Sequence, residues 1–309
     1  MLLKELTTLK VGGEARKVVD CKTEEEIIAA LGSAERGLPI FILGGGSNVL
    51  AGDAGYEGTI IRPQILGITF TALPDGTTEV VSGAGVVWDE LVHAVGERGL
   101  WGLENLAAIP GTVGAAPVQN IGAYGAELAD TFFWCEVIVK ADGSKKRLTW
   151  DEAQFAYRDS IFKREQKWII TRVAFRLSSV GTATLTYADL MRAKEEGIPL
   201  STPLEVAAAV RTIRARKLPD MHQYGTAGSF FKNPIIDGKK ISLAWILDHE
   251  LHLKGYRVGK VGLYENQPLV LVTEAGATAA EVEKFADDIT QKVFEATGIK
   301  IEREVQSLK

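Results

Sequence analysis

One stretch constrains this chain more than any other. It runs from Ala108 through Ile109-Pro110-Gly111-Thr112-Val113-Gly114-Ala115-Ala116-Pro117-Val118-Gln119-Asn120-Ile121-Gly122-Ala123-Tyr124 to Gly125. It is apolar, carries no charge, and is studded with small residues. Gly111, Gly114, Gly122 and Gly125 let the backbone turn tightly and approach a ligand closely. Backbone N–H groups in such a stretch can point at phosphate oxygens. Gln119 and Asn120 set amides inside the apolar run, and a buried amide needs partners in the protein or in a ligand. The residues alone leave two readings: a tight connection that needs small side chains, or a ligand cradle.

A second glycine loop lies upstream. Pro39-Ile40-Phe41-Ile42-Leu43 reads as a buried strand from its continuous apolar run. It leads into Gly44-Gly45-Gly46-Ser47-Asn48. A strand followed by three glycines is suited to holding a pyrophosphate on backbone N–H groups. The loop lacks the glycine spacing of a Rossmann fingerprint and the Gly-Lys-Ser/Thr of a Walker loop. A ligand-free turn is the alternative.

Around these loops the pattern is mixed α/β. Thr23-Glu24-Glu25-Glu26, Thr202-Pro203-Leu204-Glu205 and Thr278 to Glu281 are capping boxes that open helices. The helix from Thr202 reaches Lys217 and ends in Arg211, Arg214, Arg216 and Lys217. Those cations suit the helix dipole or a bound phosphate. The helix from Thr278 to Thr297 has an apolar face of Val282, Phe285, Ile289 and Val293, with Gly298 beyond its end. Trp88 to Arg98 is a further helix. Thr78 to Gly85, Glu136 to Lys140 and Trp168 to Leu177 read as strands, and Ala141 to Ser144 as a turn. Ile299 to Val305 alternates apolar and charged residues and predicts a final strand. Tyr187 falls in a polar break after a strand.

The chain has 309 residues, enough for two or three domains with full cores. Its net charge of -5 argues against broad nucleic-acid binding. No apolar run reaches the length of a membrane span, and no signal peptide is evident at Met1 to Leu6. The two cysteines, Cys21 and Cys135, fit a reducing cytoplasm and supply neither a disulfide framework nor a zinc ligand set. His249-Glu250-Leu251-His252 imitates a zinc-protease motif, but its second histidine comes one residue early, so no metal is expected.

Taken together and in this order, Phe41 to Leu50, Ile109 to Gly125, Tyr157 to Lys163, Lys217-Leu218-Pro219-Asp220, Gly228 to Pro234 and Glu302 to Val305 resemble the UDP-N-acetylenolpyruvoylglucosamine reductase (UDP-N-acetylmuramate dehydrogenase) family. Tyr157-Arg158 and the later Tyr187 point to its type I branch. The resemblance implies an α/β (α+β) chain with a two-subdomain FAD-binding fold of the vanillyl-alcohol-oxidase type and a C-terminal α/β substrate domain. The corresponding segments are 1–58, 59–200 and 201–309. It implies a cytoplasmic enzyme of bacterial peptidoglycan precursor synthesis, expected to be a monomer. That enzyme reduces UDP-N-acetylglucosamine enolpyruvate to UDP-N-acetylmuramate with FAD and NADPH. Hydride passes from flavin N5 to the enolpyruvyl group, and Ser229 then supplies a proton.

The same resemblance implies the site residues. Leu43, Gly44, Gly45, Gly46, Ser47 and Asn48, with Pro110, Gly111, Thr112, Gly114, Ala115, Gln119, Asn120, Gly122, Ala123 and Tyr124, would hold FAD, and Arg214 would lie beside the flavin. Tyr157, Tyr187, Lys217, Asn233 and His249 would bind the nucleotide sugar. Arg158, Ser229 and Glu304 match the catalytic set. The chain departs from the family pattern at Gly45, where glutamate is common, at Ala115-Ala116, and at His249, where glutamine is common.

Physical chemistry supports these roles. Arg158 is always protonated and can grip a carboxylate bidentately as charge develops. The residues alone also allow an ion pair with Asp159, and a solvated Glu304 on an edge strand. No side chain can donate hydride, so a flavin must. Neither glycine loop contains histidine or cysteine, so non-covalent FAD is expected. Two rivals remain at this stage. Another flavin enzyme of the same fold would not need Gly228 to Pro234 or the terminal Glu304-Val305. A non-catalytic flavin or nucleotide module would need the glycine loops only.

Overall fold

The largely apolar strands Phe132–Val139 and Trp168–Ser178, buried on both faces, build the largest sheet. The computed structural model describes every residue from Met1 to Lys309. The five strands run in the order Lys145–Thr149, Phe132–Val139, Trp168–Ser178, Thr77–Gly83, Ile68–Ala72. Every neighbouring pair is antiparallel. Alternate residues feed opposite faces. Val137, Ile170, Val173 and Phe175 enter a large core with Trp88, Leu91, Val92 and Val95 of the helix Trp88–Glu97. Ile138 and Ile169 face the other way and pack with Cys21, Ile27, Ile61 and Ile65, covered by the helix Glu24–Gly32. Each fully buried aliphatic or aromatic side chain contributes about 1.5–3 kcal/mol. The Trp88 indole N–H is satisfied by the Leu106 carbonyl at 2.9 Å, so its burial leaves no orphan donor.

The chain divides into two compact units. The unit built on this sheet comprises residues 19–45 and 60–214. It includes the helix Pro203–Lys217 up to Arg214, whose Val206, Ala207 and Val210 join the large core. Ile40–Ile42 also belongs here, and it ends where Leu43 donates to the Ile61 carbonyl at 3.0 Å.

The other unit is assembled from residues 1–18, 46–59 and 215–309. Its four-stranded sheet runs in the order Gly225–Ser229, Gln267–Thr273, Val261–Tyr264, Arg257–Val258. The helix Ala279–Thr297 buries Val282, Phe285, Ile289 and Val293, the face its periodicity predicts. Phe230, Phe231, Leu263 and Leu271 complete that core.

One local expectation is corrected. Ile299 to Val305 does not form the terminal strand. That strand is Gln306–Leu308, and it pairs in parallel with Val49–Ala51. The alternating residues before it make only an isolated bridge, Arg303 with Phe231. Tyr187 lies, as expected, in the break after the strand Trp168–Ser178, where it is the N-cap of the helix Ala188–Glu195.

Candidate functional site

The two glycine loops interlock within the sheet-based unit. A β-carbon on Gly44 would sit 2.8 Å from the Ala115 Cβ and 2.9 Å from the Thr112 Oγ1. One on Gly45 would sit 2.8 Å from the Gly111 Cα. Side chains here would force the loops apart. Gly114 makes a third close approach, its notional Cβ 2.5 Å from that of Ala84. Backbone bonds fix this crossing: Gly114 N–H to Ala84 O, Val113 N–H to Val86 O and Trp88 N–H to Gly111 O. The remaining loop residues, Gly46, Ser47 and Asn48, belong to the other unit.

The distal part of the stretch winds through left-handed backbone. Of nine non-glycine residues with positive φ, Ala108, Asn120 and Tyr124 lie in the stretch and Arg158 lies against it. Such conformations are costly and persist where surroundings enforce them. The enforcement is visible at Asn120, which is buried. Its Nδ2 donates to Glu127 Oε2 at 2.9 Å and Ala156 O at 3.2 Å, and its Oδ1 accepts from Ala129 N–H at 3.0 Å. The amide is therefore used within the protein. Gln119 closes the short turn Ala116–Gln119.

Arg158 donates to the Gly122 carbonyl at 2.6 Å and the Asn120 carbonyl at 3.4 Å. A β-carbon on Gly122 would lie 2.7 Å from Arg158 Nη1 and 3.0 Å from the Ala126 carbonyl oxygen, so a side chain there would displace the guanidinium. Asp159 forms an ion pair with Arg164. The Tyr157 ring lies beneath the Arg158 guanidinium, 5.3 Å from centroid to cation. Ser160 caps the helix Ile161–Glu165 and donates to Val118 O at 2.6 Å, tying this turn to the glycine stretch.

Tyr124 packs edge-on against Tyr187, ring centroids 5.3 Å apart. Burial pushes the Tyr124 hydroxyl up to about 12, so it stays protonated at neutral pH. Tyr187 is 50% exposed. Sequence reasoning missed Asn105, whose Nδ2 donates to Tyr124 O at 2.8 Å and Thr184 O at 2.9 Å. It tethers the segment that carries Tyr187 to the stretch that carries Tyr124. No local signal marks it, because both partners are distant in sequence. The Nε of Arg214 is buried and has no hydrogen-bond partner. Burial lowers the Arg214 pKa, while Tyr124 and Asp89 act to raise it.

In the other unit, Ser229 ends the strand Gly225–Ser229 at a register irregularity, after Gly228 in left-handed backbone. The next residue, Phe230, is hydrogen-bonded to Glu304 through the Glu304 N–H at 2.8 Å. Ser229 and Glu304 are therefore carried on adjacent extended segments. Glu304 is buried, with 9% exposure, and not solvated on an edge strand. Asn48 Nδ2 donates to the Glu304 carbonyl at 3.4 Å, and Gln306 N–H donates to Asn48 O at 3.0 Å. The glycine loop thus ends against the Glu304 segment. Asn233 Oδ1 accepts from Leu243 N–H at 3.0 Å. His249 stacks on Trp245 at 5.3 Å, within a helical turn of π type at Ile246–Glu250. Lys217 closes the helix Pro203–Lys217.

Residues 15–149 match the family model described as FAD binding domain. Residues 220–308 match the model described as UDP-N-acetylenolpyruvoylglucosamine reductase, C-terminal domain. The UDP-N-acetylenolpyruvoylglucosamine reductase of Pseudomonas aeruginosa is 38% identical, across 98% of this chain and 96% of the relative. The chain belongs to the UDP-N-acetylenolpyruvoylglucosamine reductase family. The Escherichia coli O157:H7 reductase is also 38% identical, across 98% of this chain and 94% of its own. The crystal structure of UDP-N-acetylenolpyruvylglucosamine reductase from Thermus caldophilus superposes with a TM-score of 0.74 at 30% identity. That alignment covers 100% of this chain and 98% of the other. The family's FAD-binding fold and C-terminal domain are both present. No helix is long and apolar enough to cross a membrane.

Proposed function

We propose that this chain reduces the enolpyruvyl ether of UDP-N-acetylglucosamine enolpyruvate to UDP-N-acetylmuramate, using FAD and NADPH. The observation that carries this reading is near-full-length similarity to relatives named as that reductase. The residues present suit the cofactor. Loops stripped of β-carbons offer backbone N–H groups, and the buried, unpartnered Arg214 Nε suits an anionic ligand. FAD would be held without a covalent bond by Leu43 to Asn48, by Pro110, Gly111, Thr112, Gly114, Ala115, Gln119, Gly122, Ala123 and Tyr124, and by Arg214. Asn120 would belong to the same FAD cradle, with its side chain fixing the backbone there. Segments 1–58 and 59–200 would form the cofactor-binding subdomains, and 201–309 the substrate domain. The cell context is cytoplasmic peptidoglycan precursor synthesis, with the enzyme acting as a monomer.

FAD held by these residues would supply the hydride chemistry that reduction of the enolpyruvyl double bond requires. Arg158 grips the substrate carboxylate, into which negative charge spreads from the neighbouring carbon. A fixed cation at developing charge lowers the barrier. Its anchoring on the Gly122 and Asn120 carbonyls orients the guanidinium in advance. Ser229 gives its hydroxyl proton to the carbon that carries the new electron pair. Glu304 polarises the carboxylate or orients the site from its buried position. Tyr157, Tyr187, Lys217, Asn233 and His249 hold the nucleotide sugar.

The test separates the two half-reactions. Stopped-flow absorbance should show Ser229→Ala flavin bleached by NADPH at near wild-type speed. Reoxidation by the enolpyruvyl substrate should slow by ~10²–10⁴-fold, the usual cost of a missing general acid. Equal slowing of both steps would make Ser229 structural, and slowing of neither would remove it from catalysis.

A further inference from the structure

Asp89 sits in the first turn of the helix Trp88–Glu97 and has two partners that the chemistry above does not use. Its Oδ1 accepts from the Ala108 N–H at 2.6 Å. Its two oxygens also take a bidentate grip from Arg211, Nε at 2.9 Å and Nη2 at 3.1 Å. The three residues lie 19 and 122 positions apart, yet they meet on one carboxylate.

What they join matters. Ala108 opens the glycine stretch and is left-handed, φ 57°, a conformation alanine rarely adopts. Gly111, three residues on, is bonded by its carbonyl to the Trp88 N–H at 3.0 Å. The Ala108–Gly111 turn is therefore pinned at both ends to the start of one helix. Gly111 is also the residue against which Gly45 packs. Arg211 stands one helical turn before Arg214 and shares its face. Burial alone would raise the Asp89 pKa. Arg211 and the Ala108 N–H reverse this and hold it below the ordinary aspartate value, so the carboxylate is ionised at neutral pH.

We propose that Asp89 and Arg211 form a positioning strap that sets the Ala108–Gly111 turn and the Arg214 helix in mutual register for FAD. Neither residue touches the cofactor in this assignment. The proposal rests on the FAD reading above. Paired charge suits this task because a bidentate carboxylate–guanidinium contact fixes angle as well as distance.

The full-length chain tests it through FAD affinity, read by quenching of FAD fluorescence on titration. Asp89→Ala and Arg211→Ala should each weaken FAD binding about 10- to 100-fold. The double variant should be no weaker than Asp89→Ala, which already loses both the Arg211 contact and the Ala108 bond. Arg211→Lys keeps the charge but not the fork and should recover only part of the affinity. The visible circular dichroism of the bound flavin should change in the single variants. Multiplying effects, or unchanged affinity and spectrum, would overturn the strap. Amide hydrogen exchange at Ala108 provides a readout without cofactor: it should accelerate in Asp89→Ala, and unchanged exchange counts against the strap even if the wild-type chain binds no FAD. Failure of the wild-type chain to bind FAD, with Ala108 exchange accelerated in the variant, would instead sink the cofactor reading. Where the alanine variants fold poorly, Asp89→Asn and Arg211→Lys carry the same comparison.

Discussion

At Gly45 there is room for a hydrogen atom and nothing larger. A methyl group there would lie 2.8 Å from the Gly111 Cα, and that neighbour is backbone, unable to rotate away. Overpacking of this kind typically costs about 1–3 kcal/mol, and here the strain would fall on the cradle. Gly45→Ala should therefore purify with much less flavin per protein and a lowered melting temperature. Gly32→Ala is the control, because it ends the helix Glu24–Gly32 with nothing within 4 Å of its notional β-carbon. It should leave flavin content unchanged; parallel losses in both variants would refute the argument. Arg158 shows the same principle with a charged residue. Its left-handed backbone and its bonds to two carbonyls place the guanidinium before any ligand arrives.

Among the elements, the helix Ala279–Thr297 is the most securely built. Thr278 and Glu281 form a reciprocal capping box. Asp53, far away in sequence, adds a second cap by accepting from Ala279 and Ala280 N–H at 2.8 and 2.9 Å. Removing it strands two donors at the helix start. Asp53→Ala should cost about 0.5–2 kcal/mol in a urea titration. A shift in the midpoint below the error of measurement would mean that water replaces the carboxylate fully. This helix also marks where sequence reading succeeds. The threonine caps at 23, 202 and 278 were legible because a capping box is local chemistry. The glycine loops were legible as loops, though not as an interlocked pair, since contact between Gly45 and Gly111 leaves no trace in spacing. The terminal segment misled because alternation in Ile299 to Val305 mimics a strand. The true ladder depends on Val49–Ala51, more than 250 residues away. Asn105 and Asp89 escaped for a similar reason: their partners are fixed by tertiary structure, and a lone Asn or Asp in a mixed sequence signals nothing.

On the scale of the molecule, the two units differ in how the chain supplies them. One uses residues 19–45 and 60–214; the other collects residues 1–18, 46–59 and 215–309. In the second unit, the parallel pairing of Val49–Ala51 with Gln306–Leu308 joins an early segment to a very late one. Synthesis proceeds from the N-terminus, so this pairing has a consequence in time. When residue 214 has left the ribosome, everything the first unit needs is present, and domains fold as their residues emerge. Within the segment 46–59, the strand Val49–Ala51 must then wait for its ladder partner until Gln306 to Leu308 emerge. Limited proteolysis of ribosome-bound chains arrested with residues 1 to 260 exposed should cut within 46–59 while sparing 60–214. Protection of both at that stage would show that the early segment finds an interim partner. Otherwise Gln306 to Leu308 complete the unit that Asn48 and Glu304 share, and the backbone around Glu304 takes its final form only once they have emerged.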